Sequence, residues 1–380
     1  MREDQEIPKL SKDLCHRLLT DLENARRPVL EAIKCSLDNS KYSPSVGYLT
    51  PGSKRVRTEL NVSSVQKMSR AIFLLEILLR NIDSGAVNTK RELYYISKGE
   101  TKHNPELKPL DFSDQSESDA IIDFICEMLE CYREDLNCYA NDRGGQTYSN
   151  QLVVTETLPD GDTAVVDLST LGTSPFQPKN RPQSLKLKAK KKIDFCLVVE
   201  SEGTANTFVA NGFCKRNNAI LMGAQGVPSN AVRGWCKLIQ DQLKVPIYFF
   251  GDLDAYTLQN IFRTLKAGSA ASLIRNSDFS APDVRFLGVL PEDIKKYDLN
   301  DYPVKENDIG EARALKKAAD ALKNDPFFRD RKNRGLAKIL EWLLKNKRRC
   351  EQQAYFTVDP RDPTMPEKII VDKIKRGDFV

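Results

Sequence analysis

The first third of the chain has apolar residues at the spacing of amphipathic helices. Leu14 and Leu18 belong to a run that predicts a helix over residues 8–36. Pro28 lies inside this stretch and can kink or break the helix, because proline lacks the backbone N–H that a helix interior needs. Residues 40–60 are mixed and rich in turn-forming residues, and they have room for a short hairpin.

Two more helices, joined by a short turn, are predicted next. The run NVSSVQKMSRAIFLLEILLRNIDSG has serines that can cap a helix, a strongly apolar middle and Gly85, which can end the helix. The run NTKRELYYISKGE then offers Asn88 or Thr89 as the cap of a second helix. Two helices connected by a short glycine-containing turn are typical of a helix-turn-helix.

One more helix and two β-type segments complete the first half. Ile121, Ile125 and Leu129 lie on one face of a helix predicted over residues 116–136. The segments LVVTETL and TAVVDL have β propensity, and the PDGD between them is a strong turn signal. We interpret this region as a winged domain or the β appendage of one. Residues 172–192 are rich in Pro, Ser and Lys, and we interpret them as a linker.

The second half alternates apolar strands with helices. The strands are predicted in IDFCLVVE, AILMG, VPIYFFGDLD and VRFLGVL, and helical stretches near residues 204–213, 230–243 and 257–265 follow the first three. Near-continuous apolar strands that alternate with helices are typical of an α/β domain with a mainly parallel sheet.

Composition permits a nucleic-acid partner without requiring one. The chain has 58 Lys and Arg against 53 Asp and Glu, so its net charge is +5. Basic side chains cluster at residues 54–57, 186–192, 329–334 and 345–349, although each cluster alone is more often a solvated face.

The remaining composition narrows the chemistry. Nine cysteines form no CxxC pair and the N-terminus has no signal-peptide pattern, so neither a disulfide framework nor a zinc site is favoured. With only two histidines, His16 and His103, chemistry built on several histidines is excluded. The sequence contains no run of 18 apolar residues, so no membrane span is predicted. We expect a cytoplasmic, nucleoid-associated protein.

Three acidic residues follow two of the predicted strands. Glu200 ends the strand of IDFCLVVE, and Asp252 and Asp254 follow the strand of VPIYFFGDLD. In open parallel sheets the carboxyl ends of the strands share one edge, so these carboxylates are expected to meet there. Clustered carboxylates need a counter-charge, and Mg²⁺, which prefers hard oxygen ligands, can supply it.

A simpler interpretation is that Asp252 and Asp254 cap the helix that follows them. That role is the commoner one for an isolated DxD pair, but the strand-end glutamate two strands earlier favours a metal site. Glu202 lies close to Glu200 in the sequence. We favour Glu200 because it directly terminates its strand.

A tyrosine pair lies on the second helix of the helix-turn-helix. Arg91 and Tyr95 are four residues apart and therefore share a helix face. A phenol is a poor nucleophile at neutral pH unless a neighbouring cation or base favours the phenolate. Arg91 can provide that charge and can bind a phosphate through two hydrogen bonds. The simpler interpretation is that Tyr94 and Tyr95 are aromatic core residues.

These segments together resemble a known family. NTKRELYYISKGE and ESDAIIDFICEMLECYREDLNCYANDRGG resemble the A subunit of DNA topoisomerase VI and the related meiotic double-strand-break proteins. KKIDFCLVVESEGTANTFV resembles the first strand and helix of the family's Toprim domain, and IYFFGDLDAYTLQNIFRTLKAGS, APDVRFLGVLPEDIKKY and DKIKRGDFV resemble its later parts. The resemblance runs, with gaps, from about residue 45 to the C-terminus.

The resemblance implies a fold and a set of site residues. It implies a winged-helix domain of the catabolite-activator type followed by a Toprim α/β domain. The second tyrosine of the family's RE-x-YY motif, the nucleophile, falls on Tyr95, and the preceding arginine falls on Arg91. The metal-binding glutamate and two aspartates fall on Glu200, Asp252 and Asp254.

The expected domain boundaries follow from both lines of reasoning. We expect an N-terminal helical extension over 1–45, the winged-helix domain with the tyrosine over 46–171, the basic linker over 172–192, and the Toprim domain with C-terminal helices over 193–380.

The implied function is that of the A component of a type IIB topoisomerase. Such a protein would break double-stranded DNA by Mg²⁺-dependent transesterification that leaves a 5′-phosphotyrosyl bond. The resemblance implies a homodimer in which the tyrosine of one chain meets the metal site of the other. The chain contains no G-x-x-x-x-G-K-[ST] motif, so strand passage would need a separate ATPase, a B-like subunit that completes a heterotetramer.

Three other functions stay open at this point. One is a break-making recombination factor of the same family, and another is a Toprim nuclease that uses water as nucleophile. The third is a non-catalytic DNA-binding protein with the same fold.

The sequence departs from the family in two places. Family members often read D-x-D-P-Y-G, whereas Ala255, Tyr256 and Thr257 follow the aspartates here. The change affects the turn after the aspartates and removes no ligand. The 172–192 segment is also more basic than usual.

Overall fold

The structure is a computed structural model that describes residues 6–139, 145–158, 161–178, 184–305 and 309–380. Its helices are, in chain order, α1 (Glu6–Glu23), α2 (Val65–Ser84), α3 (Lys90–His103), α4 (Gln115–Leu129), α5 (Glu202–Ala210), α6 (Phe213–Asn217), α7 (Asn230–Leu238), α8 (Arg263–Ala267), α9 (Asn276–Phe279), α10 (Pro291–Lys296), α11 (Ile309–Asn324), α12 (Pro326–Arg329), α13 (Arg334–Asn346) and α14 (Met365–Arg376).

The strands alternate with these helices along the chain. They are β1 (Val29–Ile33), β2 (Ser40–Ser43), β3 (Tyr48–Pro51), β4 (Arg55–Glu59), β5 (Asn88–Thr89), β6 (Cys138–Tyr139), β7 (Gln146–Ser149), β8 (Leu152–Thr157), β9 (Thr163–Asp167), β10 (Leu185–Ala189), β11 (Phe195–Val199), β12 (Ala219–Gly223), β13 (Ile247–Phe250), β14 (Arg285–Gly288), β15 (Tyr302–Pro303) and β16 (Arg348–Arg349).

The chain divides into two compact units. The first is formed by Met1–Ser40, Pro51–Asn141 and Ala271–Arg275, and the second by Lys41–Thr50, Asp142–Ala270 and Asn276–Val380. None of the helices in the described ranges is long and apolar enough to cross a membrane.

The first unit is built on the helices that the apolar spacing predicts. α2 ends where Gly85 adopts a positive φ of 69°, a conformation that glycine adopts without strain. α3 is capped by Thr89, whose side chain accepts a hydrogen bond from the N–H of Glu92, while the Glu92 carboxylate accepts one from the N–H of Thr89. Both predicted helices are therefore confirmed.

The helix predicted over residues 8–36 is too long. α1 ends at Glu23, and Val29–Ile33 form strand β1, which pairs antiparallel with β4. Leu30 is fully buried on this strand. The apolar residues that looked like a continued helix therefore face the core from a strand that follows Pro28. α1 packs in the same core through residues such as Leu14, so residues 6–40 are part of the first unit rather than an extension.

The helix predicted over residues 116–136 is also shorter than expected. α4 is capped by Asp114, whose carboxylate accepts hydrogen bonds from two backbone N–H groups, and it ends where Glu130 adopts a φ of 53°. Residues Arg133–Leu136 then form a separate 3₁₀ turn. The hairpin expected within residues 40–60 is confirmed as the pairing of β2 with β3.

The second unit contains the predicted parallel sheet. Its strand order is β14-β13-β11-β12-β7, and the first four strands run parallel while β7 joins the edge antiparallel. Every residue of β11, β12 and β13 is buried, as near-continuous apolar strands predict. The α/β prediction for this half is therefore confirmed.

The predicted linker contains a strand. Leu185–Ala189 form β10, which pairs antiparallel with β8, and β8 pairs with β9 in the same three-stranded sheet. Leu185 is buried, whereas the lysines of the strand are exposed. These lysines are the outward-facing residues of a strand, and their number made the segment look like a linker. The rest of the linker prediction includes residues 179–183, and the predicted PDGD turn includes residues 159–160. Both of these stretches lie outside the described residues.

The boundary between the units differs from the predicted boundary at residue 171. The β8–β9 pair belongs to the second unit, which begins again at Asp142. The physical reason is that β7 hydrogen-bonds to β12, the outermost of the parallel strands, so the chain enters this sheet before it forms the β8–β9 pair.

A buried ion pair fixes the C-terminal helix in the second unit. The Lys373 ammonium on α14 contacts the Asp293 carboxylate on α10, and both side chains are almost completely buried. The Tyr355 hydroxyl donates to the same carboxylate over 2.7 Å. Burial, opposed by the charge of Asp293, lowers the pKa of Lys373.

We predict that Lys373→Met destabilises the protein by about 3 kcal/mol, because it leaves a buried carboxylate without its cation. Urea unfolding followed by circular dichroism measures the change. Lys375→Met on the exposed side of the same helix is the matched control. Equal unfolding midpoints for the two variants would show that the buried pair contributes no stability.

Candidate active site

The sheet brings the three predicted acidic residues to one edge. β11 and β13 are parallel neighbours, and Val199 pairs with Phe250 at their carboxyl ends. The N–H of Glu200, the next residue after β11, donates to the carbonyl of Phe250 over 2.9 Å. Glu200 therefore lies beside the segment that carries Asp252 and Asp254. We call these three carboxylates the acid edge.

Glu200 is held by donors from the aspartate segment itself. The N–H of Asp252 donates to Glu200 Oε2 over 3.1 Å. The Thr257 hydroxyl donates to the same carboxylate, at 3.2 Å from Oε1 and 3.0 Å from Oε2. Thr257 is fully buried, so its hydroxyl is directed at Glu200 without competition from solvent. Thr257 stands where the family often has glycine, which could not make this contact.

The two aspartates have different partners. Asp254 Oδ1 accepts from the N–H of Thr257 over 2.6 Å, so Asp254 does cap the helical segment that follows. Asp252 Oδ1 instead accepts from the N–H of Gln352 over 2.8 Å. The simpler interpretation of the DxD pair as helix caps thus holds for Asp254 alone.

A C-terminal segment clamps the aspartate segment in place. Leu253 and Cys350 exchange two backbone hydrogen bonds, with N···O distances of 2.8 and 3.2 Å. Two residues later, the N–H of Gln352 donates to Asp252. Sequence reasoning missed this segment, because about 100 residues separate it from the aspartates and no local pattern marks it.

Gly251 leaves room for the Glu200 carboxylate. A Cβ atom at this position would lie 2.5 Å from Glu200 Oε2 and 2.5 Å from a ring carbon of Phe249. Any larger residue would therefore displace the carboxylate or the ring. The glycine before the DxD pair could be read from the sequence, but the close approach of the Glu200 carboxylate that requires it could not.

Burial and mutual repulsion hold protons on the acid edge. Burial, followed by the negative charge of Asp252, raises the pKa of Glu200 to about 8. Burial also raises the pKa of Asp252 to about 6, with Asp254 adding to the shift, and burial raises the pKa of Asp254. The charge of Arg349 opposes the shifts of both aspartates. Arg349 is itself shared with Glu311 and Glu351, at 3.0 and 3.5 Å.

The donor set of the acid edge suits a hard divalent cation. All of its donor atoms are carboxylate oxygens, and burial together with their mutual repulsion raises their pKa values, so a bound cation would relieve that repulsion. Across the described ranges, however, no three His, Cys, Asp or Glu side chains are arranged as a ready-made metal site. Carboxylate oxygens that now accept internal hydrogen bonds would have to turn toward an ion.

Glu202, the neighbouring candidate, has different hydrogen-bond partners from Glu200. It begins α5, and its carboxylate accepts from the side-chain amide of Gln225 over 2.6 Å. Glu200, by contrast, contacts both the Asp252 N–H and the Thr257 hydroxyl.

The tyrosine of the first unit is exposed on α3. The Tyr95 side chain is 58% exposed, so it is not a core residue. Tyr94 is the partly buried member of the pair and packs against the hydrophobic core. The Arg91 guanidinium carbon lies 6.0 Å from the centre of the Tyr95 ring, as expected for two residues on one helix face. Both line a surface cleft of about 600 Å³.

Comparison with known proteins matches both halves of the chain. The family of Toprim domains from Spo11 and the topoisomerase 6 A subunit matches residues 195–369, and the family described as "Type IIB DNA topoisomerase" matches residues 66–138. These ranges include the acid edge and the exposed tyrosine, respectively.

Curated relatives match over most of their length. The A subunit of type 2 DNA topoisomerase 6 from Methanocaldococcus jannaschii is 31% identical over 94% of this chain and 92% of that protein. The proteins of the same name from Pyrococcus horikoshii and Natronomonas pharaonis are each 28% identical. The first match covers 92% of this chain and 89% of that protein, and the second 78% and 76%.

We predict that the metal-free protein loses thermal stability as the pH rises from about 5 to about 8.5. The folded state keeps a proton on Glu200 up to a pKa of about 8, whereas an unfolded glutamate releases it near 4.5. The unfolded state is therefore favoured progressively as the pH rises through this window. Glu200→Gln, which has no charge to develop, should flatten the decline.

Melting temperatures in EDTA across this pH range measure the effect. Glu292→Gln, at the surface of α10, controls for the loss of one carboxylate from the same unit. Parallel pH profiles for the unaltered protein and Glu200→Gln would contradict the buried-charge explanation.

Proposed function

The chain belongs to the family of type 2 DNA topoisomerase 6 A subunits, and we propose that it is the DNA-cleaving component of a type IIB topoisomerase. The observation that carries this proposal is the presence in one chain of an exposed tyrosine beside an arginine and of a half-buried edge of three carboxylates. Each feature lies in the part of the chain that matches the corresponding family model.

We propose Tyr95 as the nucleophile. Its oxygen would attack a backbone phosphorus, form a phosphotyrosyl bond to the 5′ end and break the bond from phosphorus to the 3′ oxygen. The phenol loses its proton and the departing 3′ oxygen gains one, so one ester replaces another. Because the ester is conserved, the 3′ hydroxyl can reverse the reaction without ATP. Arg91 would balance phosphate charge near Tyr95.

We propose Glu200, Asp252 and Asp254 as the residues that hold a divalent cation, with Mg²⁺ as the ion. The bound ion would supply positive charge to the scissile phosphate and to the departing oxygen. Thr257 would keep its hydroxyl on the Glu200 carboxylate, whose two oxygens it contacts, and so restrain the orientation of that carboxylate. The N–H of Gln352 would do the same for Asp252.

We propose a winged-helix role for the first unit, with α2 and α3 as its helix-turn-helix. The capped start of α3 and the packing of α3 against α4 give the tyrosine a rigid support. Double-stranded DNA is the proposed substrate. The working assembly would be a homodimer with two ATPase subunits of the B type, since strand passage requires ATP and the sequence contains no phosphate-binding loop of its own.

Tyr95→Phe should abolish covalent capture of DNA. Its DNA affinity should stay within about twofold of that of the unaltered protein, because one hydroxyl contributes little to binding that phosphate contacts dominate. Plasmid cleavage followed by detergent denaturation detects protein-linked 5′ ends. Tyr94→Phe removes the neighbouring hydroxyl and should retain capture.

Two outcomes would contradict this assignment. Protein-linked ends from Tyr95→Phe would exclude Tyr95 as the nucleophile. Cleavage that leaves free ends with the unaltered protein would instead indicate a nuclease that uses water.

Thr257→Val should weaken Mg²⁺ binding by about tenfold or more, because loss of a hydrogen bond to a metal ligand typically has that effect. Thr257→Ser keeps the hydroxyl and should bind Mg²⁺ nearly as the unaltered protein does. Isothermal titration calorimetry and the Mg²⁺-dependent rise in melting temperature measure binding without any turnover. Equal affinities for the valine and serine variants would show that the hydroxyl does not orient Glu200.

A further inference from the structure

A cavity of about 500 Å³ lies beside the acid edge, within the second unit. Its volume is within the usual range for pockets that hold small molecules, about 300–1,000 Å³. Asp254 belongs both to the acid edge and to the cavity lining. Neither the proposed nucleophile nor the proposed metal site requires such a space.

The walls of the cavity are mostly apolar and are tied together, and Asn260 and the ion-paired Glu311 and Arg349 also line it. Ala255 and Tyr256 form one side, while Ala314 on α11 and Leu343 on α13 line the other. The Gln259 side-chain amide donates to the carbonyl of Ala255 over 2.7 Å and to that of Ala314 over 3.1 Å. The two walls are thus held at a fixed spacing by one side chain.

Two exposed cations line the cavity. Arg313 and Lys317 are four residues apart on α11, so they project from the same helix face, and both are exposed to solvent. Among the described residues, the ion pairs of this region join Arg349 to Glu311 and Glu351 and do not involve these two cations. Two exposed cations above an apolar cavity suit a ligand with an apolar body and an anionic group.

We propose that this cavity binds the terminal nucleotide of the DNA strand that ends in the 3′ hydroxyl after cleavage. The inference rests on the proposed function, in which the departing 3′ oxygen lies at the acid edge. The nucleotide that carries this oxygen must therefore lie next to Asp254, where the cavity begins. Tyr256 has a ring that is 49% exposed and can stack on any base, and Arg313 and Lys317 would bind the adjoining phosphate.

Such a site solves a physical problem of reversible cleavage. The 5′ end stays attached through its bond to the tyrosine, whereas the 3′ end has no covalent link to the protein. If the 3′ end diffuses away, the ester cannot be reversed. A cavity that holds it beside the acid edge keeps its hydroxyl at a high local concentration and in a reactive orientation.

Photo-crosslinking tests occupancy of the cavity without any cleavage. The full-length protein is mixed, in the presence of Mg²⁺, with an oligonucleotide whose 3′-terminal nucleotide is 5-iodouracil, and the crosslinked peptide is sequenced. The proposal predicts a crosslink at Tyr256. Arg313→Ala combined with Lys317→Ala should lower it about tenfold, because two phosphate contacts are lost.

The matched control is Lys316→Ala combined with Lys323→Ala, which removes the same charge from α11 at exposed positions outside the cavity lining. This variant should crosslink as the unaltered protein does. A crosslink at another site, equal losses in both double variants, or equal labelling from an internal 5-iodouracil would overturn the proposal.

A resealing assay tests the consequence. Tyr256→Ala should raise the share of protein-linked breaks that fail to reseal about tenfold, counted per break formed, since loss of base stacking lets the unattached 3′ end leave the cavity. Tyr302→Ala removes a similarly exposed ring outside the cavity lining and should reseal normally. Equal resealing by the two variants would overturn the proposal. Absence of any covalent 5′ end with the unaltered protein would contradict the proposed function, and the crosslink would still decide occupancy of the cavity.

Discussion

The second unit depends on one unfavourable arrangement, in which three half-buried carboxylates follow the ends of two adjacent parallel strands. Parallel pairing of β11 with β13 brings the residues that follow the two strands to the same edge of the sheet. Glu200 lies close enough to both aspartates for their charges to raise its pKa. Such a cluster is stable only with bound protons or with a cation. The acid edge is therefore a site that favours a bound cation. Residues outside the two strands hold its carboxylates in place.

The residues that hold the three carboxylates in place have no proposed part in the reaction themselves. Gly251 makes room for the Glu200 carboxylate, and Thr257 donates a hydroxyl to it. Gln352 reaches Asp252 from the segment that precedes Tyr355, and Tyr355 is in turn bonded to the buried Asp293. The order of the C-terminal segment is thus linked physically to the placement of a proposed metal ligand. The proposed nucleophile belongs to the other compact unit, so the proposed reaction requires the two kinds of site to be brought together.

The sequence predicted those features that depend on local pattern. The strands of the parallel sheet were recognisable because they are almost entirely apolar, and Glu200, Asp252 and Asp254 were recognisable because they follow such strands. The start of α3 was predictable from Thr89 and Glu92, whose capping exchange spans only three residues. The roles of these site residues stay predictions, whereas the family and the α/β fold of the second half are confirmed.

What could not be predicted depends on long-range pairing. The strand Val29–Ile33 looked helical because its partner β4 lies about 25 residues away, and β10 looked like a linker because its lysines concealed a pairing with β8. The clamp of Cys350 and Gln352 on the aspartate segment has no local signature at all.

Complementation between two inactive variants tests most directly whether the tyrosine of one protomer works with the acid edge of the other. Tyr95→Phe and Asp252→Asn proteins are mixed under conditions that exchange protomers, and plasmid cleavage is measured with Mg²⁺ and any ATPase partner present. If the tyrosine of one protomer works with the acid edge of the other, each mixed dimer has one intact composite site, and single-strand nicks with covalent 5′ ends should reappear. Mixed dimers, verified by differential tags, that give no cleavage at all would contradict the claim that the two sites converge across the dimer.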